Sequence, residues 1–427
     1  MTARNRELAN LVVVGILTGL GFASVYIARQ SEVSTESLSY AGFFAGLYLV
    51  AHVVARFVIP YADPYLLPMS ALLTGIGLTV IYRLNPDDAF RQGLWIVIGV
   101  AFFALTLLAL RRDYRLLERY KYLFGVGAIV LLALPALPVI GTTVNGARLW
   151  VRVGQFQFQP GEVAKLMLIV FLAGYLQEKR EVLAQARPKD LGPLLLIWGG
   201  AMLVLVQTND LGSALLYFGI FLGMLYVATG RLAFVVAGLA LFVGGAFAVY
   251  QFVGRVQDRV AVWLDPWERA QGAGYQIIQS TYSIGNGGFA GTGFGRGIFT
   301  TVGGVGSSEA PQQLIPFLNT DFIYAALAQE VGLIGASALL LVYMLFLVRG
   351  FRTALLADDG FSKLLAAGLT FGFALQTFII LGGILRLIPL TGITLPFVSY
   401  GGSSVLANFV LLALLLLVSN RAYARAT

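Results

Sequence analysis

The sequence predicts an all-α polytopic membrane protein, and three observations carry that expectation. Hydrophobic residues make up 58% of the 427 residues and charged ones 12%, too little charge to cover a soluble protein of this size. Apolar runs of about 20 residues, the length that crosses a bilayer, recur along the whole chain. Lysine and arginine collect in alternate connections between those runs, as they do on the inner side of a membrane.

About twelve spans follow, near 8–28, 40–60, 65–83, 92–110, 120–140, 162–177, 192–207, 211–229, 232–252, 320–349, 362–386 and 396–419. The first, Leu8 to Ile27, has no A-x-A cleavage signal behind it and reads as a helix rather than a leader. "QTNDLG", Gln207–Gly212, leaves only a very short turn between two spans. Arg4 and Arg6, "RRDYRLLERYK" (Arg111–Lys121), "EKREVLAQARPK" (Glu178–Lys189), "RGFR" (Arg349–Arg352) and the tail "RAYAR" fall on one side when the helices alternate. Both termini are therefore expected on the cytoplasmic side, with the 140–161 and 253–319 connections outside. The net charge of +8 is mostly this asymmetry, so it implies contact with anionic membrane lipids and no nucleic-acid partner.

The absence of cysteine excludes disulfides, thiolate nucleophiles and cysteine metal sites. The single histidine, His52, lies in an apolar run and reads as a residue packed between helices. Acid–base chemistry falls to Asp, Glu, Lys or Tyr.

The 253–319 connection is long for a loop and rich in aromatics and glycine, which argues for structure. "YQIIQSTYSI" predicts a short amphipathic helix at the interface with Tyr275 as its anchor, followed by Gln276. The run Gly285–Gly297 offers either backbone N–H groups for an anion or a flexible hinge. Four polar groups stand near the outer face. In "NGARLWVRVGQFQFQPGEVAKL", Arg148 precedes Glu162 and Lys165, which sit three apart and share a helix face, as a structural pair or as a substrate site. Asp210 in "NDLGSAL" caps the next helix or serves the site. Asn319, Thr320 and Asp321 form an N-cap, and Glu330 lies about 13 Å deeper at 1.5 Å per residue, where an ionisable group is functional or paired. The last group is "GITLPFVSYGGSS", with Ser399, Tyr400 and Ser403 just before a final apolar run.

These blocks, together with "GAGYQIIQS", "GGFAGTGFG" and "TDFIYAALAQEVGLIG", resemble in sequence and order the SEDS family of bacterial membrane proteins, whose members include FtsW, RodA and SpoVE. The resemblance implies a ten-helix core, placed at 63–427, with 1–62 as an added N-terminal helix pair. It implies a peptidoglycan glycosyltransferase that polymerises lipid II on the outer face of the cytoplasmic membrane beside a class B penicillin-binding protein. Such chemistry needs a base for the acceptor hydroxyl. It also needs positive charge on the leaving pyrophosphate, from arginine, lysine or a divalent cation such as Mg or Mn.

The acids expected outside are Glu32, Glu36, Asp87, Asp88, Glu162, Asp210, Asp258, Asp265, Glu268, Glu309 and Asp321. The family's essential aspartate stands three residues before the first glycine of its G-x-G-Y-Q block. Here that position is Arg269, which leaves Asp265 and Glu268 as the expected catalytic carboxylates. Phe317 likewise replaces an acid of the family pattern. The departures keep two other classes open: a lipid-precursor flippase or transporter, and a non-catalytic scaffold that activates a transpeptidase.

Overall fold

The computed structural model describes residues 2–30, 35–138, 140–144, 147–154, 156–180, 192–299 and 314–426. Glu32, Asn145, Glu309 and most of Glu178–Lys189 lie outside that set, as does the side chain of Glu36. The helices, in chain order, are α1 (Ala3–Gln30), α2 (Thr35–Val58), α3 (Leu66–Leu84), α4 (Pro86–Leu110), α5 (Leu116–Arg119), α6 (Lys121–Ala133) and α7 (Pro160–Glu178). They continue as α8 (Gly192–Gln207), α9 (Leu211–Thr229), α10 (Leu232–Phe252), α11 (Gly254–Leu264), α12 (Tyr275–Gly287), α13 (Ile323–Leu356), α14 (Gly360–Ile384) and α15 (Gly402–Ala426).

Among the described residues ten helices are long and apolar enough to cross a membrane, and α6 and α8 are shorter apolar helices. Each coincides with one of the expected runs, because apolar side chains leave the backbone no partner but itself in lipid. Burial sorts them. In α15 83% of the apolar window is inside the protein, in α3 and α14 78%, and in α10 only 6%, so α15 is central and α10 peripheral. Aromatic rings bind the centre together: Phe346 stacks on Phe373, and Phe397 bridges Phe373 to Phe409.

The spanning part is all helical as expected, and the 140–161 connection folds into a small three-stranded antiparallel sheet in the order β1 (Gly141–Val144), β2 (Ala147–Val153), β3 (Phe156–Phe158). Gly154 turns β2 back onto β3 at φ 61°. The described parts of the 253–319 connection contain α11 and α12, the latter being the short helix expected over "YQIIQSTYSI". Its buried Ile277, Ser280 and Ser283 pack on α13, with Ser283 Oγ donating to Gln329 Oε1 at 2.7 Å.

The glycine run Gly285–Gly297 packs against α13, and its Gly297 N–H donates to the Glu330 carboxylate at 3.2 Å. α13 breaks at Gly332 (φ 63°), and the glycines lie against that break. Thr292 N–H donates to Gln329 O, Gly293 N–H to Glu330 O, and Leu333 N–H to Gly288 O. A Cβ on Gly287, Gly291 or Gly332 would collide with backbone atoms across this contact. Glycine is used here for close backbone approach, which satisfies groups freed by the kink.

Both termini sit at one end of the bundle. Arg4 joins Glu7 and the carbonyl of Ala62, and His52 Nδ1 lies 2.7 Å from Glu7 Oε1. Asp63, fully buried, receives Arg349 Nε at 2.6 Å and Tyr423 O–H at 3.2 Å. Lys121 pairs with Glu178 at this end, and Arg421 approaches Asp113. The basic connections thus gather beside the termini, and the sheet, α11 and α12 occupy the other end, called here the loop end.

Candidate active site at the loop end

A row of charged groups runs from α7 to α13 across the loop end. On α7, Glu162 and Lys165 do share a face: Lys165 Nζ donates to Glu162 Oε2 at 2.8 Å and to Gln376 Oε1 of α14 at 2.5 Å. Gln376 is buried and gives its other end to Thr394 O at 2.9 Å, so the amide aims at the lysine. Asp210 caps α9 by accepting from Ser213 N–H at 3.0 Å. Burial pushes its carboxyl up and the charge of Glu162 adds to that, against Ser213 and Arg259.

Arg259 extends the row. It stands on α11, half-buried, within Coulombic reach of both Asp210 and Asp321. Burial and neighbouring Arg255 hold its guanidinium below the usual arginine value, and the two acids oppose them. The helix that carries it is fixed at its C-terminal end by Arg386, which donates to Trp263 O and Leu264 O at 3.1 Å while accepting Trp263 Nε1 on its own carbonyl.

Asp321 is not a cap. The residue before α13 is Phe322, which has no side-chain cap bond, and Asn319 donates instead to Asp88 Oδ2 of α4 at 2.8 Å. A turn at Phe317 (φ 59°) delivers Asp321, whose N–H donates to Phe317 O. Burial raises the Asp321 carboxyl to about 6, against the Thr320 hydroxyl and Arg259.

The "LPFVSYGGSS" stretch holds this row in place. Ser399 Oγ donates to Thr320 O at 2.6 Å and accepts from Leu395 N–H at 3.0 Å. Tyr400 N–H reaches Asn319 O, and Ser403 Oγ accepts from Gln159 N–H at 2.7 Å. A Cβ on Gly77 would strike the Val398 backbone, so the stretch crosses α3 at close range. Arg148 donates to Leu137 O at 2.9 Å and lines a cleft with Gln159, Thr208 and Asp210; its buried Nε has no hydrogen-bond partner.

The other expected residues lie apart from the row. Asp265 and Glu268 are exposed, and Asp265 Oδ1 already accepts the N–H of Trp267 at 2.9 Å. Arg269 pairs with neither of them but with Asp258 on α11. Glu330 is paired: Arg83 Nε lies 3.3 Å away, and Gly297 N–H donates to it at 3.2 Å. Tyr275 and Gln276 are half-buried at the start of α12. Sequence reasoning missed Arg259 and Gln376. The first had a signal, since Arg255 and Arg259 are one helical turn apart between apolar Val256 and Val260. The second had only a lone amide in an apolar run.

The family model for FtsW, RodA and SpoVE, described as cell cycle protein, matches residues 65–424. The chain belongs to the FtsW/RodA/SpoVE family. "Peptidoglycan glycosyltransferase RodA" of Mycobacterium tuberculosis is 42% identical over 99% of this chain and 91% of its own length. "Stage V sporulation protein E" of Bacillus subtilis is 37% identical over 83% of this chain and 96% of its own. Among solved structures, a chain from work titled "Structural coordination of polymerization and crosslinking by a peptidoglycan synthase complex" superposes with a TM-score of 0.70 at 28% identity, covering 85% of this chain and 98% of that one. The family match begins after α1 and α2, whereas the mycobacterial relatives align with nearly the whole chain.

Proposed function

We infer that this protein is a peptidoglycan glycosyltransferase of bacterial cell-wall synthesis, a multi-pass protein of the cytoplasmic membrane. The observation that carries this reading is 42% identity along 99% of the chain to relatives bearing that name. The substrate is lipid II, and the loop end is its reaction face. Three features support the proposal. A lipid-linked sugar needs polar groups at one rim of an apolar bundle, and the row from Lys165 to Asp321 supplies them. The basic connections gather at the opposite end, which the charge rule assigns to the cytoplasm together with both termini. Lys165, Arg148 and Arg259 are the cations available for a pyrophosphate.

The donor set does not fit a divalent cation held by protein alone. Among the described residues no three His, Asp or Glu side chains converge, and the cation beside Asp210 and Asp321 is a guanidinium. We propose that side chains place positive charge on the leaving group, with or without a divalent cation held in part by the pyrophosphate itself. A class B penicillin-binding protein is the proposed partner, in keeping with the crosslinking complex to which the fold is similar.

Arg269 at the family's aspartate position favours a second reading, a non-catalytic scaffold. Purified protein with its partner and labelled lipid II separates the two. Glycan polymer is the expected product, transbilayer movement without polymer would mean a flippase, and neither would mean a scaffold.

A further inference from the structure

The reaction needs a carboxylate that can take a proton, and most acids of the loop end are already engaged. Glu162 holds Lys165, Asp258 holds Arg269, Asp88 holds Asn319, and Glu330 holds Arg83. Asp210 caps α9 and Asp265 caps the turn at Trp267. Glu268 is exposed on the far side of that turn.

Asp321 differs from all of these. It is half-buried, its Oδ2 faces exposed Gly392, and a Cβ built on that glycine would come to 3.5 Å from the oxygen. Gly392 has φ 76°, a backbone state that a side chain rarely adopts, so the approach to the carboxylate stays open. Arg259 lies within Coulombic reach of it on a helix pinned by Arg386.

We propose that Asp321 is the general base of the transfer, oriented by Arg259, in place of the loop aspartate this chain lacks. The proposal rests on the glycosyltransferase reading above. In the step, the acceptor sugar's hydroxyl oxygen bonds to the donor's anomeric carbon while the bond from that carbon to the pyrophosphate oxygen breaks. The bonding pair leaves with the pyrophosphate, and the hydroxyl proton passes to Asp321 and then to water. A carboxyl near 6 is mostly ionised at neutral pH, so it can accept a proton, and is a stronger base than an exposed aspartate.

The charged group within Coulombic reach of Asp321 is Arg259 of α11, which is itself within reach of Arg255 and Asp210. Ionisation is required for activity, so kcat/KM should fall about tenfold per pH unit below about 6, because one proton blocks the base. Asp321→Asn should lower kcat at least about 100-fold, leave KM within about threefold and remove that acid limb. Arg259→Gln removes a positive charge that favours the carboxylate, so the limb should move up by about one unit.

Lipid II polymerisation by the protein with its partner, across pH, reads all of these. The proposal is overturned if Asp321→Asn keeps more than about a third of kcat, or if Asp265→Asn and Glu268→Gln abolish polymer while Asp321→Asn does not. Should Asp321→Asn fail to fold, an unmoved acid limb in Arg259→Gln overturns it. An unaltered protein that makes no polymer sinks the functional reading as well, whereas failure of this inference alone appears only in the variants.

Discussion

The two ends of the bundle use their charges differently. At the terminus end, Asp63 is enclosed by Arg349, Tyr423 and the Ser419 hydroxyl, which accepts its N–H, and Glu7 is shared by Arg4 and His52. These groups join α1, α2, the α2–α3 connection, α13 and α15 through ion pairs and hydrogen bonds, with Arg4 Nε and His52 Nε2 left without a hydrogen-bond partner. At the loop end the charges form an open row, one of whose members, Asp321, lies beside Gly392 with Arg259 within Coulombic reach and no ion pair among the described residues. A buried charge that is fully paired fixes helices, and one left partly unmatched is available for chemistry.

The largest effect should come from the row itself. Lys165→Ala removes the cation from Glu162 and Gln376 and should cut polymerisation at least about 100-fold, as loss of a single stabilising donor does in other transferases of charge. Exchanging the pair, Glu162→Lys with Lys165→Glu, should recover thermal stability without recovering polymer. Full recovery of activity would assign the pair to structure and erase the contrast between the ends.

Next in size is Asp63→Ala, which strands Arg349. Breaking one side of a buried pair costs about 3–5 kcal/mol. The melting temperature in detergent should fall sharply, yet activity per folded molecule should persist. A stable but inactive Asp63→Ala would bring the terminus end into the reaction.

Gly332→Ala forces a left-handed backbone and a collision with the 288–297 segment, at a cost of about 1–3 kcal/mol. A melting temperature equal to that of the unaltered protein would mean that the break in α13 does not depend on glycine.

Arg269→Asp should have the smallest effect. Its exposed pair with Asp258 contributes at most about 1 kcal/mol, and the new acid faces Asp258 in place of the row. A polymerisation rate far above the starting level would show instead that the missing loop carboxylate limits this chain.

How much of this was legible in the sequence follows from what each feature depends on. The apolar runs are local and read directly, as does the three-residue spacing of Glu162 and Lys165. The final polar stretch was recognisable as special, but its serines bind backbone contributed by Thr320 and Gln159, which no spacing reveals. The β-sheet carried a weak signal in the alternation of "RLWVRV" and "QFQF", hidden in a segment expected to be a connection. Asp63 and Arg349 lie too far apart in the chain for any pattern. Asp321 stands among good capping residues and is legible as a site candidate, but only the fold brings it within reach of Arg259.

The contrast between the ends is tested most directly by mapping where lipid II touches the protein. A photo-crosslinking residue is placed at Thr208, in the loop-end cleft, and in a separate variant at Tyr423, beside Asp63. Each is irradiated in membranes with labelled lipid II. The account predicts label on the Thr208 variant, competed away by unlabelled lipid II, and none on the Tyr423 variant. Label of the Tyr423 variant with the Thr208 variant blank would contradict it.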